Sequence, residues 1–244
     1  MEFEIVVQRS VLLKTVMSPM HLKMAGFYAS ECRKIENSFA ECGFDYGYQI
    51  RNYEWLQGFS ASCFMSCAAF MESAINELIS KVVDESEGEH PLSKVITPDQ
   101  VQLLKEEKEK KNLFDKCDRL AEILGQKRMD RGSAIFQNAA GVMAVRNSLM
   151  HYKPYLVEVE RTNGFEGDEV DDRNHIVSLE KRLKGKFEDS AFFRNDSQPY
   201  FPRKCLGAGG AEWAVKAVQE FVLEYYKLIG ADSGSLRRIC NIED

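Results

Sequence analysis

The sequence predicts a mainly α protein, an up-and-down bundle of about five helices with an irregular, partly β insertion before the last helix. Three observations carry that expectation. Apolar residues recur at three- and four-residue steps over long segments. Residues that start and stop helices bound those segments. Between 155 and 207 the periodicity gives way to a stretch rich in Gly, Asp, Asn and Pro. The organisation that follows is a single domain over 1–244, with a helical core at about 18–154 and 208–230 and an insertion at 155–207.

Each element has a local reason. Residues 3–16 alternate weakly (Phe3, Ile5, Val7) and read as a short strand or extended arm. Ser18 then offers an N-cap and Pro19 a first-turn residue. Met20, Met24, Phe27, Ile35 and Phe39 follow at helical spacing, and Gly43 offers a stop. Residues 44–52 read as a connection. From Tyr53 to Val83 the positions Phe59, Cys63, Cys67, Phe70, Ala74, Leu78 and Val82 form one apolar stripe. The acidic stretch from Asp84 to Ile96 holds Gly88 and Pro91 and reads as a loop. Thr97-Pro98-Asp99-Gln100 is a capping box, and one helix is expected from it to Gly125. Ser133 opens the next helix, which carries Ala139, Val142, Val145 and Leu149 until Pro154 closes it. Short alternating pieces such as Tyr155–Val159 suggest one or two β-hairpins inside the insertion. The last helix is expected over Ala211–Ile229, with Trp213, Ala217, Phe221, Tyr225 and Leu228 on one face.

Composition narrows the function classes. The chain has 244 residues, 44% of them hydrophobic, enough for a sizeable core. A net charge of -6 argues against a broad basic face for non-specific nucleic-acid binding, while allowing a small basic cleft. No run of roughly 18 apolar residues is seen, so no membrane span is expected. The first 17 residues lack a basic n-region and a small-residue cleavage site, so no signal peptide is expected either. Seven cysteines, odd in number and scattered beside apolar neighbours, suit reduced thiols in the cytoplasm. Cys63 and Cys67 share a helix face but have no second pair or His at ligand spacing, so they read as core thiols and no metal is expected. Gly207-Ala208-Gly209-Gly210 lacks a following Lys-Ser/Thr, so it reads as a hinge rather than a phosphate loop.

One run stands out for chemistry, Arg146-Asn147-Ser148-Leu149-Met150-His151 at the end of a helix. An Arg followed by a His at this spacing is common by chance, and the Asn directly after the Arg makes the pattern specific. Imidazole exchanges protons near neutral pH and serves as general acid or base. Guanidinium matches phosphate oxygens and stabilises charge that develops on them. Asn147 can orient the imidazole or donate to phosphate. Glu72 and Asn76, four apart on an earlier helix, are candidates for a supporting role, as is Tyr152 beside His151. Lys127, Arg128, Arg131 and Lys153 lie around the motif helix in sequence and are the best candidates for an RNA-facing patch.

The Arg146–His151 run, with Phe70-Met71-Glu72-x-x-x-Asn76 on an earlier helix, resembles the R-x(4–6)-H signature of HEPN domains, in which a polar residue follows the Arg. The resemblance covers about residues 20–155 and 208–230. The segment Phe201-Pro202-x-x-Cys205-Leu206-Gly207 leading into Glu212-Trp213-Ala214 looks like bacterial proteins of unassigned function that carry such a domain. The resemblance implies a HEPN-like bundle and metal-independent RNA cleavage by the ribose 2′-hydroxyl, with no cofactor. It also implies a homodimer whose motifs share one cleft, in a toxin–antitoxin or antiviral defence setting with an antitoxin or other partner protein. Dimerisation matters geometrically, since five residues along a helix set Arg146 and His151 about 140° apart. The HEPN toxins often carry a Tyr two positions after the His; here that position is Lys153, between Tyr152 and Tyr155. Two other readings remain open: a non-catalytic HEPN module that binds a nucleotide or protein, and a plain helical interaction protein.

Overall fold

The computed structural model of the chain describes residues 15–42, 46–84, 96–110, 112–152, 171–193 and 200–231. It is mainly helical. In chain order the helices are α1 (Ser18–Cys42), α2 (Tyr46–Asp84), α3 (Pro98–Lys110), α4 (Leu113–Ile123), α5 (Ala134–Met150), α6 (Asp171–Leu183) and α7 (Ala208–Leu228). Helix α2 is the central post, and α1, α3, α4, α5 and α7 all lean on it. Its stripe of Phe64, Cys67, Phe70, Met71, Ala74, Ile75 and Leu78 is buried against these neighbours. By length and composition the segment Arg51–Val83 is apolar enough to cross a membrane. In this fold half of that apolar window is buried in the bundle, while Trp55 stays exposed.

Local caps form largely where the sequence places them. Thr97 N–H donates to Gln100 Oε1 at 2.8 Å while Gln100 N–H donates to Thr97 Oγ1 at 3.3 Å, a reciprocal capping box. Ser133 Oγ accepts from Phe136 N–H at 3.2 Å. Gly125 and Gly230 take left-handed φ of 67° and 70° after α4 and α7. Each supports paired bonds back to the last turn, Gln126 N–H to Ala121 O and Ala231 N–H to Tyr226 O. At α1 the cap comes from elsewhere. The Glu77 carboxylate of α2 accepts from Met17 N–H, Ser18 N–H and the Ser18 hydroxyl at 2.6–2.9 Å.

Four expectations need correction. The helix expected from Thr97 to Gly125 is two helices. Asn112 Oδ1 accepts from Asp115 N–H at 3.1 Å and its amide donates to Asp115 Oδ2 at 2.6 Å, so an N-cap interrupts the periodic run. Residues 46–52, read as connection, belong to α2; one Gly47 costs a helix only about 1 kcal/mol, which a long packed helix absorbs. Within the insertion no strand occurs among the described residues; 171–183 is a helix that buries Leu179 and Leu183, one turn apart. The stretch 155–159 lies outside the described residues, as do the arm at 3–14 and Pro154. Finally, α7 begins at Ala208, three residues early.

That last difference explains the glycines. Glu36 of α1 is 5% exposed, and its Oε1 accepts from Ala208 N–H and Ala191 N–H, each at 3.2 Å. The electropositive start of α7 is thus occupied by the protein's own carboxylate. A Cβ on Gly207 would stand 2.6 Å from that Glu36 oxygen, and one on Gly209 would stand 2.5 Å from Glu188 O. These glycines are required for close backbone approach, and the segment is a packed corner rather than a hinge. Arg33 secures the same corner from α1, with Nε and Nη2 on the two Glu212 oxygens at 2.8 and 2.5 Å. Gly141 of α5 plays a similar part against α6 and α7, where a Cβ would meet Trp213 at 3.0 Å and Leu183 at 3.1 Å. Tyr225 and Tyr226 complete the lock by donating to Cys117 O at 2.8 Å and Ala74 O at 3.2 Å.

Candidate functional site

Helix α5 ends at Met150, and His151 is its C-cap, with φ −114° and ψ 35° and its N–H on Asn147 O at 3.0 Å. The imidazole therefore leaves from beyond the last helical turn and is exposed. Arg146 is partly exposed and its fork is held on two sides. Nη1 donates to Asn147 Oδ1 at 2.9 Å, and Nη2 lies 3.6 Å from Glu72 Oε1 of α2. Packing of α5 on α2 brings about this meeting across 74 positions of sequence, with Val142 and Val145 buried beneath it.

Asn76, one turn after Glu72, faces a different partner. Its Oδ1 accepts from Lys116 Nζ of α4 at 3.0 Å. Lys116 is a cation near this face that sequence reasoning missed, since nothing local in α4 marks it. Tyr152 is half exposed, its ring 6.4 Å from that of Phe201. Ser148, inside the motif, is buried with its hydroxyl on Ala144 O at 2.9 Å.

The expected basic patch is not gathered at the motif. Lys127, Arg128 and Arg131 lie in the loop before α5, whereas His151 lies after it. Seventeen helical residues separate the two ends by about 25 Å. The two arginines are also paired. Arg128 binds Glu122, and Arg131 binds Asp118 at 2.8 Å while lying over the Phe136 ring at 5.6 Å. Hydrogen bonds from Arg128 and Arg119 hold the Glu122 carboxyl below its ordinary range. Lys127 is exposed in the same loop. Lys153 lies outside the described residues.

Two cations do meet α5 nearer the motif, and neither stood out in the sequence. Arg182 of α6 donates from Nη1 to Ala140 O at 3.5 Å. Lys186, just past α6, donates to Asn138 Oδ1 at 2.5 Å and lies 6.0 Å from the Trp213 ring centroid. Burial, then the neighbouring Arg182 charge, hold the Lys186 amine below its ordinary range.

Cys63 and Cys67 are wholly buried, Cys63 within 3.3 Å of Ala25 O, in keeping with core thiols. Among the described residues no group of three or more His, Cys, Asp or Glu side chains could hold a metal ion. Comparison with protein-family models, curated proteins and solved structures finds no match.

Proposed function

We propose that this protein is a HEPN-type, metal-independent endoribonuclease that works as a homodimer. The observation that supports it best is the end of α5, where a part-exposed Arg146 is oriented by Asn147 and Glu72 beside an exposed His151. In this reading the imidazole takes the proton of a ribose 2′-hydroxyl. The 2′-oxygen bonds to phosphorus, and the bond from phosphorus to the 5′-oxygen breaks. A protonated imidazole, supplied by His151 of a second copy across the shared cleft, returns a proton to the leaving 5′-oxygen. The products are a 2′,3′-cyclic phosphate and a 5′-hydroxyl. Arg146 holds the scissile phosphate and stabilises its developing charge. Glu72 positions the Arg and Tyr152 flanks the His. A cytoplasmic toxin or defence effector, restrained by an antitoxin or other partner protein, suits such an activity.

A second reading has its own support. Glu72 already occupies one arm of the Arg146 fork, and Arg128 and Arg131 are bound by carboxylates, so phosphate must compete for them. That favours a non-catalytic module whose partner is a protein. The two readings separate in one assay. The purified protein is incubated with structured RNA in EDTA beside His151→Ala. Cleavage with cyclic-phosphate ends that falls at least 100-fold in the variant supports the nuclease. Equal cleavage by both proteins, or none by either, sinks it.

A further inference from the structure

The arginines around the α4–α5 loop are each met by a carboxylate, and Arg146 shares one. Arg182 differs. Among the described residues its partner is a backbone carbonyl, Ala140 O at 3.5 Å. A carbonyl fixes the guanidinium in place without neutralising it, which leaves donors and full charge for an anion. Lys186 is held in the same manner by an amide oxygen and the Trp213 ring. Burial first, and then the neighbouring Arg182 charge, hold the Lys186 amine below its ordinary range, so the two cations share one locality.

The register along α5 gives this pair its meaning. Seven residues are nearly two full turns, so Ala140 and Asn147 lie within about 20° of each other on the helix surface and about 10 Å apart along it. His151 continues the same stripe past the helix end. Arg182 is therefore stationed upstream on the line that Asn147 and His151 define, whereas Lys127, Arg128 and Arg131 lie at the far end of the helix.

We infer that Arg182, with Lys186 beside it, is a phosphate-binding position for a single RNA strand running along α5 toward Asn147 and His151. The inference rests on the nuclease reading for its direction, and its test separates the two. A fluorescein-labelled 2′-O-methyl RNA 20-mer lacks the attacking hydroxyl and is bound without being cut. Its affinity for the full-length protein is measured by anisotropy in EDTA across a salt series, for the parent, Arg182→Gln, Lys186→Gln and Lys184→Gln. Lys184 is exposed, pairs with Glu180 at 3.2 Å and controls for the loss of one charge. Arg182→Gln is expected to weaken binding about tenfold. It should also lower the log–log salt slope by about 0.7, the share of one single-strand phosphate. Lys186→Gln should weaken binding less, and Lys184→Gln should match the parent. Circular dichroism melts confirm that the variants fold. If Arg182→Gln binds like the parent, or no worse than Lys184→Gln, the inference is overturned while the nuclease reading stands on its own assay. If the parent binds the strand through Arg182 yet cleaves no ordinary RNA, the nuclease reading falls and the binding position survives. If the parent binds no strand, the inference falls and the nuclease reading is decided by its own cleavage assay.

Discussion

Removing the Glu36 carboxylate should loosen the corner where the insertion returns to the bundle. The side chain is 5% exposed and accepts two backbone N–H groups, from Ala208 at the start of α7 and from Ala191, each at 3.2 Å. A hydrogen bond to a charged group contributes about 1.5–3 kcal/mol, and these are long, so about 1.5 kcal/mol each is appropriate. Glu36→Ala should therefore cost about 3 kcal/mol, with one buried and one part-buried donor left unmatched. Glu36→Gln keeps an acceptor oxygen but loses the charge that favours the helix start and that faces Arg33 at 4.0 Å. It should cost roughly half as much. In a chain of this size about 3 kcal/mol lowers Tm by roughly 6–12 °C. Urea unfolding of both variants, followed by circular dichroism, reads the difference directly. A loss under about 1 kcal/mol for Glu36→Ala, or equal losses for the two variants, would refute the capping role.

Two further outcomes follow from the same packing. Gly209→Ala and Gly210→Ala push a methyl into the Glu188 and Cys205 backbones and should destabilise by about 1–3 kcal/mol or more. Gly58→Ala in α2, with nothing within 4 Å of the new methyl, should stabilise by up to about 1 kcal/mol; chemical denaturation reads all three. Burial pushes the Cys32, Cys117 and Cys205 thiols up, so the folded state keeps protons that the unfolded chain releases near pH 8.5. That contribution is present below about pH 8.5 and is lost as pH rises above it. The urea midpoint should fall between pH 8 and 10, and iodoacetamide should leave these thiols unmodified until denaturant is added.

The places where sequence reasoning succeeded share one property, that the causal groups lie within a turn or two of each other. Thr97 and Gln100 are three apart, Ser133 and Phe136 three apart, and Gly125 closes on Glu122. The apolar stripe of α2 is likewise a local periodicity. Even the break at Asn112 was written locally, as an Asn three residues before an Asp, but the apolar period ran on through it and masked the cap. In the motif, the succession Arg146-Asn147 and the helix end at His151 were legible, because a C-cap is also a local event.

What tertiary packing alone decided involves partners far apart in the chain. Glu36 meets Ala208 across 172 positions and Glu72 meets Arg146 across 74, and no period or motif encodes either meeting. The Gly207–Gly210 run is ambiguous by itself; its purpose depends on which backbone presses against it. Neighbourhood in sequence also misled. Lys127, Arg128 and Arg131 stand close to the motif helix in sequence, yet that rigid helix carries the motif about 25 Å away from them. The cation that does lie on the α5 stripe, Arg182, comes from a segment with no apparent tie to it. Helix identity and caps follow from contacts within a few residues, whereas the charge around Arg146 and His151 is set by how separate helices stack.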